Sequence, residues 1–283
     1  MSLEEQFISI RKSVFAQCKR ILGTFLSDCC WYDLTTTQSH HEISIILNVS
    51  GIIPEWDKKR FLMLKAPDVP ESFRQIVSPD GYIHRNLFQN WFHSNFKPTN
   101  YIHLNGIQHT ITLCPTLKFP WSQWPLEDPP VCPEVFNKWS WYATMSERPG
   151  VNDDRTFLIR CPELVIELTK DVKHFEEVFR TMTRLSQQIN LKHINKHMIR
   201  SLMLHQISNV DWERSVKSLV AEMWTRLVDH LRAGRLDYFL GYGHNSFDCM
   251  DREELDECLS KARMKLFELL ESYSIEFDDE IPA

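Results

Sequence analysis

The stretch His109–Pro125, HTITLCPTLKFPWSQWP, decides how the first half of this chain is read. From His109 to Leu113 apolar and polar residues alternate, with Ile111 and Leu113 on one side and Thr110 and Thr112 on the other. That two-residue period is the mark of a strand with one buried face. The segment before it, YIHLNG, ends in Asn105-Gly106, a strong hairpin signal, so YIHL and QHTITL are expected to pair. After Cys114 the sequence turns to prolines and tryptophans and carries no charge chemistry. The functional question is whether this strand has lost an acid or never had one.

Working outward, HEISIILNV and RFLMLKAP read as two further strands, joined by SGIIPEWDKK, whose Gly, Pro and charges suit a loop. PESFRQIV is a short helix at best. GYIHRNLFQNWFHSNF is a better one, with Ile83, Leu87, Trp91 and Phe92 toward one side. At the start, LEEQFISIRKSVFAQCKRIL places Phe7, Ile10, Val14, Cys18 and Leu22 near one helical face, with Gly23 as its stop. Past Pro120, FPWSQWPLEDPPVCPEVF is a connection that holds little regular structure. SERPGVNDDR marks the domain boundary, giving residues 1–153 and 154–283. The second half is nearly all helix. SVKSLVAEMWTRLVDHLRAG has a continuous apolar stripe ending at Gly234, and DREELDECLSKARMKLFELLES is acidic first and basic later, as the helix dipole prefers. The fold class is therefore α+β followed by an all-helical C-terminal domain.

Composition narrows the function. The 283 residues are 43% hydrophobic and 25% charged, which suits globular domains. A net charge of −6 argues against binding nucleic acid through bulk positive charge, although a local basic patch is compatible with that average. No segment is long and apolar enough to span a bilayer, and MSLEEQFISIRKSVF does not read as a secretory signal. The cysteines form no CxxC or CxxC…HxxxH array, so reduced thiols in a cytoplasmic or nuclear protein are expected. Asp153, Asp154, Asp248 and Asp251 fall at a polar break and a helix start, where capping of backbone N–H groups accounts for them. No Ser/His/Asp nucleophile pattern and no GxxxxGK phosphate loop is present.

Five local texts in order resemble the Mab-21-like family, which shares its fold with cyclic GMP–AMP synthase. They are GYIHRNLFQ, TITLCPTLKFPWSQWP, DDRTFLIRCPELVIEL, INKHMIRSLMLHQISNVDWE and RLDYFLGYGHNSF, and the likeness runs from about Glu42 to about Leu270. It implies a nucleotidyltransferase-like twisted sheet backed by helices, then a helical domain, with a cleft between. In active members two carboxylates on one strand and a third on its neighbour hold two divalent metals. Such metals clamp the attacking and leaving oxygens of phosphoryl transfer.

Carried over residue by residue, that site is degenerate. HEISIIL matches the strand of the first two acids and keeps Glu42, but Ser44 stands two positions on. Thr112 matches the third acid. One carboxylate in three does not hold two metals, so no metal or other cofactor is expected, and Glu42 alone reads as an ordinary strand-end carboxylate or a remnant ligand. Gly23-Thr24 is the nearest match to the family's Gly-Ser loop, at a poor distance. His40 and His41, being adjacent on a strand, point to opposite faces and do not share an ion. On the helical side, His193, Lys196, His197 and Arg200 lie at helical spacing in HINKHMIR, and the resemblance implies a phosphate-facing base at Arg200. Lys196 and Arg226 are further candidates for a nucleotide, against the plainer reading of a solvated basic face. The tryptophans of WSQW and KWSWY are either contact residues for a protein partner or packing of the connection. The expected function is a non-catalytic scaffold binding a protein or nucleotide. The alternative is an active, nucleic-acid-activated nucleotidyltransferase using Mg or Mn and making a second messenger, with acids such as Asp33 or Asp57 set beside Glu42.

Overall fold

A computed structural model of the chain describes residues 3–30, 40–57, 61–96, 99–104, 107–125, 138–145 and 153–278. The chain forms two compact units, Met1–Glu147 with Asn152–Leu164, and Arg148–Val151 with Val165–Ala283. This is the α+β architecture with a helical C-terminal part that the hydrophobic pattern predicts.

The first unit begins with helix α1 (Leu3–Leu22), whose Val14, Cys18 and Leu22 are buried. Gly23 closes it at a φ of 57° and opens a 3₁₀ turn (Gly23–Phe25), the site of the supposed Gly-Ser loop. Eight strands form one sheet: β1 (Leu26–Cys30), β2 (His40–Leu47), β3 (Ile53–Trp56), β4 (Leu62–Lys65), β5 (Thr99–Leu104), β6 (Ile107–Phe119), β7 (Trp141–Thr144) and β8 (Thr156–Arg160). Their order is β1-β2-β6-β7-β8-β4-β3, with β5 also on β6. β2 and β6 run parallel, and the other pairs are antiparallel. The sheet is thus mixed, and β8 belongs to it through β7 and β4.

Two readings of the sequence change here, and one unread stretch proves to be a strand. SGIIPEWDKK, expected as a loop, contains the edge strand β3, where Pro54 is tolerated because an edge leaves one side unpaired. LSDCC after the 3₁₀ turn is the other edge strand, β1. The strand expected to end at Leu113 continues to Phe119. It crosses Pro115 because β5 pairs only up to Thr112 and β7 only from Thr116, so the proline sits where just β2 flanks the strand. The pairing of YIHL with QHTITL holds, from Leu104↔Ile107 to Thr99↔Thr112, while the Asn105-Gly106 turn lies outside the described residues.

Helix α2 (Arg85–Asn95) buries Phe88, Trp91 and Phe92, with Trp91 tilted against Phe73 of the 3₁₀ segment Glu71–Ile76. Ile83 lies before this helix and not on it. At Gly51 the chain passes so close to Asp68 that a Cβ would lie 1.9 Å from its carbonyl oxygen, and φ is 78°, so glycine is required there.

The second unit contains most of α3 (Pro162–Thr169), then α4 (Phe175–Gln188), α5 (Lys196–Leu204), α6 (Val216–Ala233) and α7 (Arg252–Asp278), with a hairpin of β9 (Asp237–Tyr238) and β10 (Gly241–Asn245). Phe175, Val178 and Met182 of α4 join Ile199, Leu202 and Met203 of α5 and the predicted stripe of α6 in its core. The starts of α5, α6 and α7 are capped by side chains, while α4 begins at His174 without one. Asn195 accepts from His197 N and Met198 N, and Ser215 accepts from Ser218 N. Asp251 and Glu254 bond each other's backbone N–H groups in a capping box. Gly234 ends α6 at a φ of 66°.

Candidate functional site

The sheet of the first unit has two unlike faces, fixed by register. Paired residues project to the same side and successive residues to opposite sides. One face carries Ile43, Ile45 and Leu47 of β2, Ile111, Leu113, Leu117 and Phe119 of β6, Trp141 and Ala143 of β7, and Ile159 of β8. All of these are buried, and this is the core. The other face is polar. Glu42 pairs with Thr112, Ser44 with Cys114, Thr116 with Thr144, Lys118 with Tyr142, and Tyr142 with Arg160.

This register brings the three expected acid positions together. Glu42 and Thr112 are direct partners, and Ser44 is two residues along from Glu42. Glu42 is exposed, Thr112 half-buried and Ser44 buried. Cys114, beside Ser44, has its thiol pushed up to about 12, by burial first and by the Glu42 carboxylate second, with Arg160 opposing. It therefore stays protonated at neutral pH. A single carboxylate, two hydroxyls and a neutral thiol do not suit a pair of hard divalent cations, which need several oxygen donors, mostly anionic. Among the described residues no three His, Cys, Asp or Glu side chains are grouped to hold a metal. Asp57, a proposed replacement acid, sits after the opposite edge strand β3, where its carboxylate accepts from Phe61 N at 2.8 Å. Asp33 lies outside the described residues.

The covered end of the polar face is held by its own bonds. Thr116 Oγ1 donates to Cys114 O at 3.3 Å, and Thr144 Oγ1 donates to Leu158 O at 3.2 Å. Tyr142, buried, donates its hydroxyl to Glu163 Oε1 at 2.6 Å, anchoring the start of α3 to the sheet. Lys118 and Arg160 flank Tyr142 on neighbouring strands and are half-buried. An alternation that stops at Leu113 leaves Lys118 off the strand, and nothing local sets Arg160 beside it. Extending the strand alternation through Pro115 places Lys118 on the face of Thr112.

The candidates of the second unit are dispersed. α5 starts at Lys196, so His193 precedes the helix, contrary to the reading of HINKHMIR as one helical face; Asn195 ends the non-helical segment by capping. Lys196 and Arg200 are one turn apart on α5. The Arg200 guanidinium lies 3.8 Å from Glu176 and 4.2 Å from the centre of the Phe179 ring. Arg226, on α6, donates to Glu222 at 2.7 Å. Burial opposes the charged form of Glu222, but the bonds from Arg226 and Arg214 outweigh it and hold the carboxyl below its usual range. Trp224 is fully buried and donates Nε1 to Ala262 O at 2.9 Å, tying α6 to α7 as a core residue. In the first unit, Trp121 and Trp124 stack at 4.6 Å, and Trp124 meets the buried Trp141 edge-on. These rings pack the connection onto the sheet.

Asn245 is the residue whose role the sequence left unread within RLDYFLGYGHNSF. Its Oδ1 accepts from Leu236 N at 2.9 Å and Phe247 N at 3.1 Å. Its Nδ2 donates to Gly234 O at 3.0 Å and Asp248 Oδ1 at 2.8 Å. One amide thus closes the chain between α6 and the turn before α7.

A family model described as the Mab-21 protein HhH/H2TH-like domain matches residues 166–264, the helical part. A Drosophila melanogaster cyclic GMP-AMP synthase-like protein is 33% identical over 224 residues, which are 71% of this chain and 64% of that protein. The chain belongs to the Mab-21-like family. The matched region spans 64% of the length of that curated relative. Within this Mab-21-like chain, the helical unit coincides with the matched domain, and the sheet is the nucleotidyltransferase-like part of the fold.

Proposed function

We propose that this Mab-21-like chain is a non-catalytic scaffold that works as a regulatory interaction or ligand-binding module. The observation that carries the reading is the parallel register of β2 and β6, which puts Thr112 and Ser44 beside Glu42. Two-metal phosphoryl transfer needs converging carboxylates, and the three matched positions keep one, while Asp28 on β1, opposite Ile46 of the same face, is ion-paired with Arg11 at 3.0 Å. Cys114 does not make up the deficit, because its proton is held by burial. The competing reading, an active nucleotidyltransferase making a nucleotide second messenger, draws on the printed name of the Drosophila relative and on the retained Glu42.

Manganese titration separates the two. Calorimetry of the purified chain with Mn²⁺, repeated on Glu42→Ala, is expected to show no saturable two-ion binding in either protein. Two sites in the parent that disappear in the variant would restore the catalytic reading.

A further inference from the structure

Beside its few carboxylates the polar face carries two cations. Lys118, Tyr142 and Arg160 occupy directly paired positions on three adjacent strands. The two cations are therefore two inter-strand steps of about 4.8 Å apart, with a tyrosine between them. The tyrosine is not free to rotate, since its hydroxyl is fixed on Glu163. Lys118 is half-buried and has no ion-pair partner among the described residues. Hydroxyl groups of Ser44, Thr112, Thr116 and Thr144 share the face. Carboxylates on the face among the described residues include Glu42, at the exposed end, Asp28, paired with Arg11 at 3.0 Å, and Glu163, which accepts from Tyr142 and keeps its charge.

From this juxtaposition we infer that the Lys118–Tyr142–Arg160 row is a metal-independent site for a polyanion of the phosphate class. This deepens the non-catalytic reading and rests on it. Arg supplies a rigid fork that matches two phosphate oxygens, and Lys supplies a point charge. Two cations separated by a strand suit an anion with charged oxygens spread along its length better than a lone carboxylate. Fixed side-chain charge takes the part that a cation held by carboxylates would otherwise play.

The probe is inorganic tripolyphosphate, titrated calorimetrically into the full chain in EDTA and again in excess Mg²⁺. Binding in EDTA is expected, weakened at least tenfold in Lys118→Met and in Arg160→Gln, with partial recovery in Arg160→Lys. Arg232→Gln, an exposed residue of α6 paired with Asp229 on its own helix, is expected to bind as the parent does. Circular dichroism and the melting temperature of each variant verify folding. Binding that requires Mg²⁺, that survives both neutralising variants, or that is lost in Arg232→Gln would overturn the assignment, as would a folded parent that binds nothing in EDTA. None of those outcomes bears on turnover. Product formation from nucleoside triphosphates would instead defeat the non-catalytic reading, so the two failures are distinguishable.

Discussion

At the scale of single residues, the chemistry turns on what Glu42, Ser44, Thr112 and Cys114 offer one another. A serine or threonine hydroxyl is neutral at any accessible pH, so replacing a carboxylate removes both a ligand and a charge. Cys114 shows how burial finishes the change. With its thiol pushed up to about 12, roughly one molecule in ten thousand carries a thiolate at pH 8. Cys114 in the native chain is therefore expected to resist iodoacetamide at pH 8 for far longer than a free thiol. Peptide mass spectrometry of alkylated protein reads this directly, and rapid native labelling of Cys114 would contradict it. Cys161 is buried and raised to about 12 by the same cause, so it serves as an internal control.

At the scale of elements, stability is concentrated where one side chain closes several backbone groups. Asn245 makes four hydrogen bonds among Gly234, Leu236, Phe247 and Asp248. Asn245→Ala leaves two N–H donors and a carbonyl without that partner, and is expected to lower stability by about 3 kcal/mol. Urea unfolding measures this, and a change within about 0.5 kcal/mol, the range of an ordinary surface substitution, would dismiss the hub. A second closure joins the turn before α2 to the start of β8. Arg155 grips Asp153 at 2.9 and 2.8 Å, and Arg85 donates to Asp153 O at 3.1 Å. Arg155 holds the Asp153 carboxyl below the usual range, so its contribution is present above the unfolded pKa and is lost as pH falls through the folded value. Asp153→Asn should thus lower the melting temperature more at pH 7 than at an acid pH below the unfolded carboxylate range. An equal loss at both pH values would show that charge is not the cause.

At the scale of the whole molecule, long elements with a clear period were legible, among them α1, α6, α7 and the strands β2 and β4. Short edge strands were not. LSDCC buries only Leu26 and Cys29 among its described side chains, and IPEW carries a proline, so neither presents an alternation long enough to read. The candidate site was legible in part. Glu42, Ser44 and Thr112 could be placed on their strands by resemblance, but that Thr112 lies directly beside Glu42 is a property of register, which no local pattern states. Lys118 and Arg160 were hidden for the same reason, since they meet only through β7. Arg200, Lys196 and Arg226 looked like a nucleotide grip in sequence. In the fold Arg200 lies beside Glu176 and Phe179, and Arg226 donates to Glu222.

The central claim is that this Mab-21-like scaffold does not transfer nucleotidyl groups. The most direct measurement incubates the purified chain with all four nucleoside triphosphates and Mg²⁺ or Mn²⁺, with and without double-stranded DNA or RNA. Products are then resolved by chromatography beside Glu42→Ala. The account predicts no product from either protein under any condition. A product formed by the parent chain and absent from the Glu42 variant would contradict it.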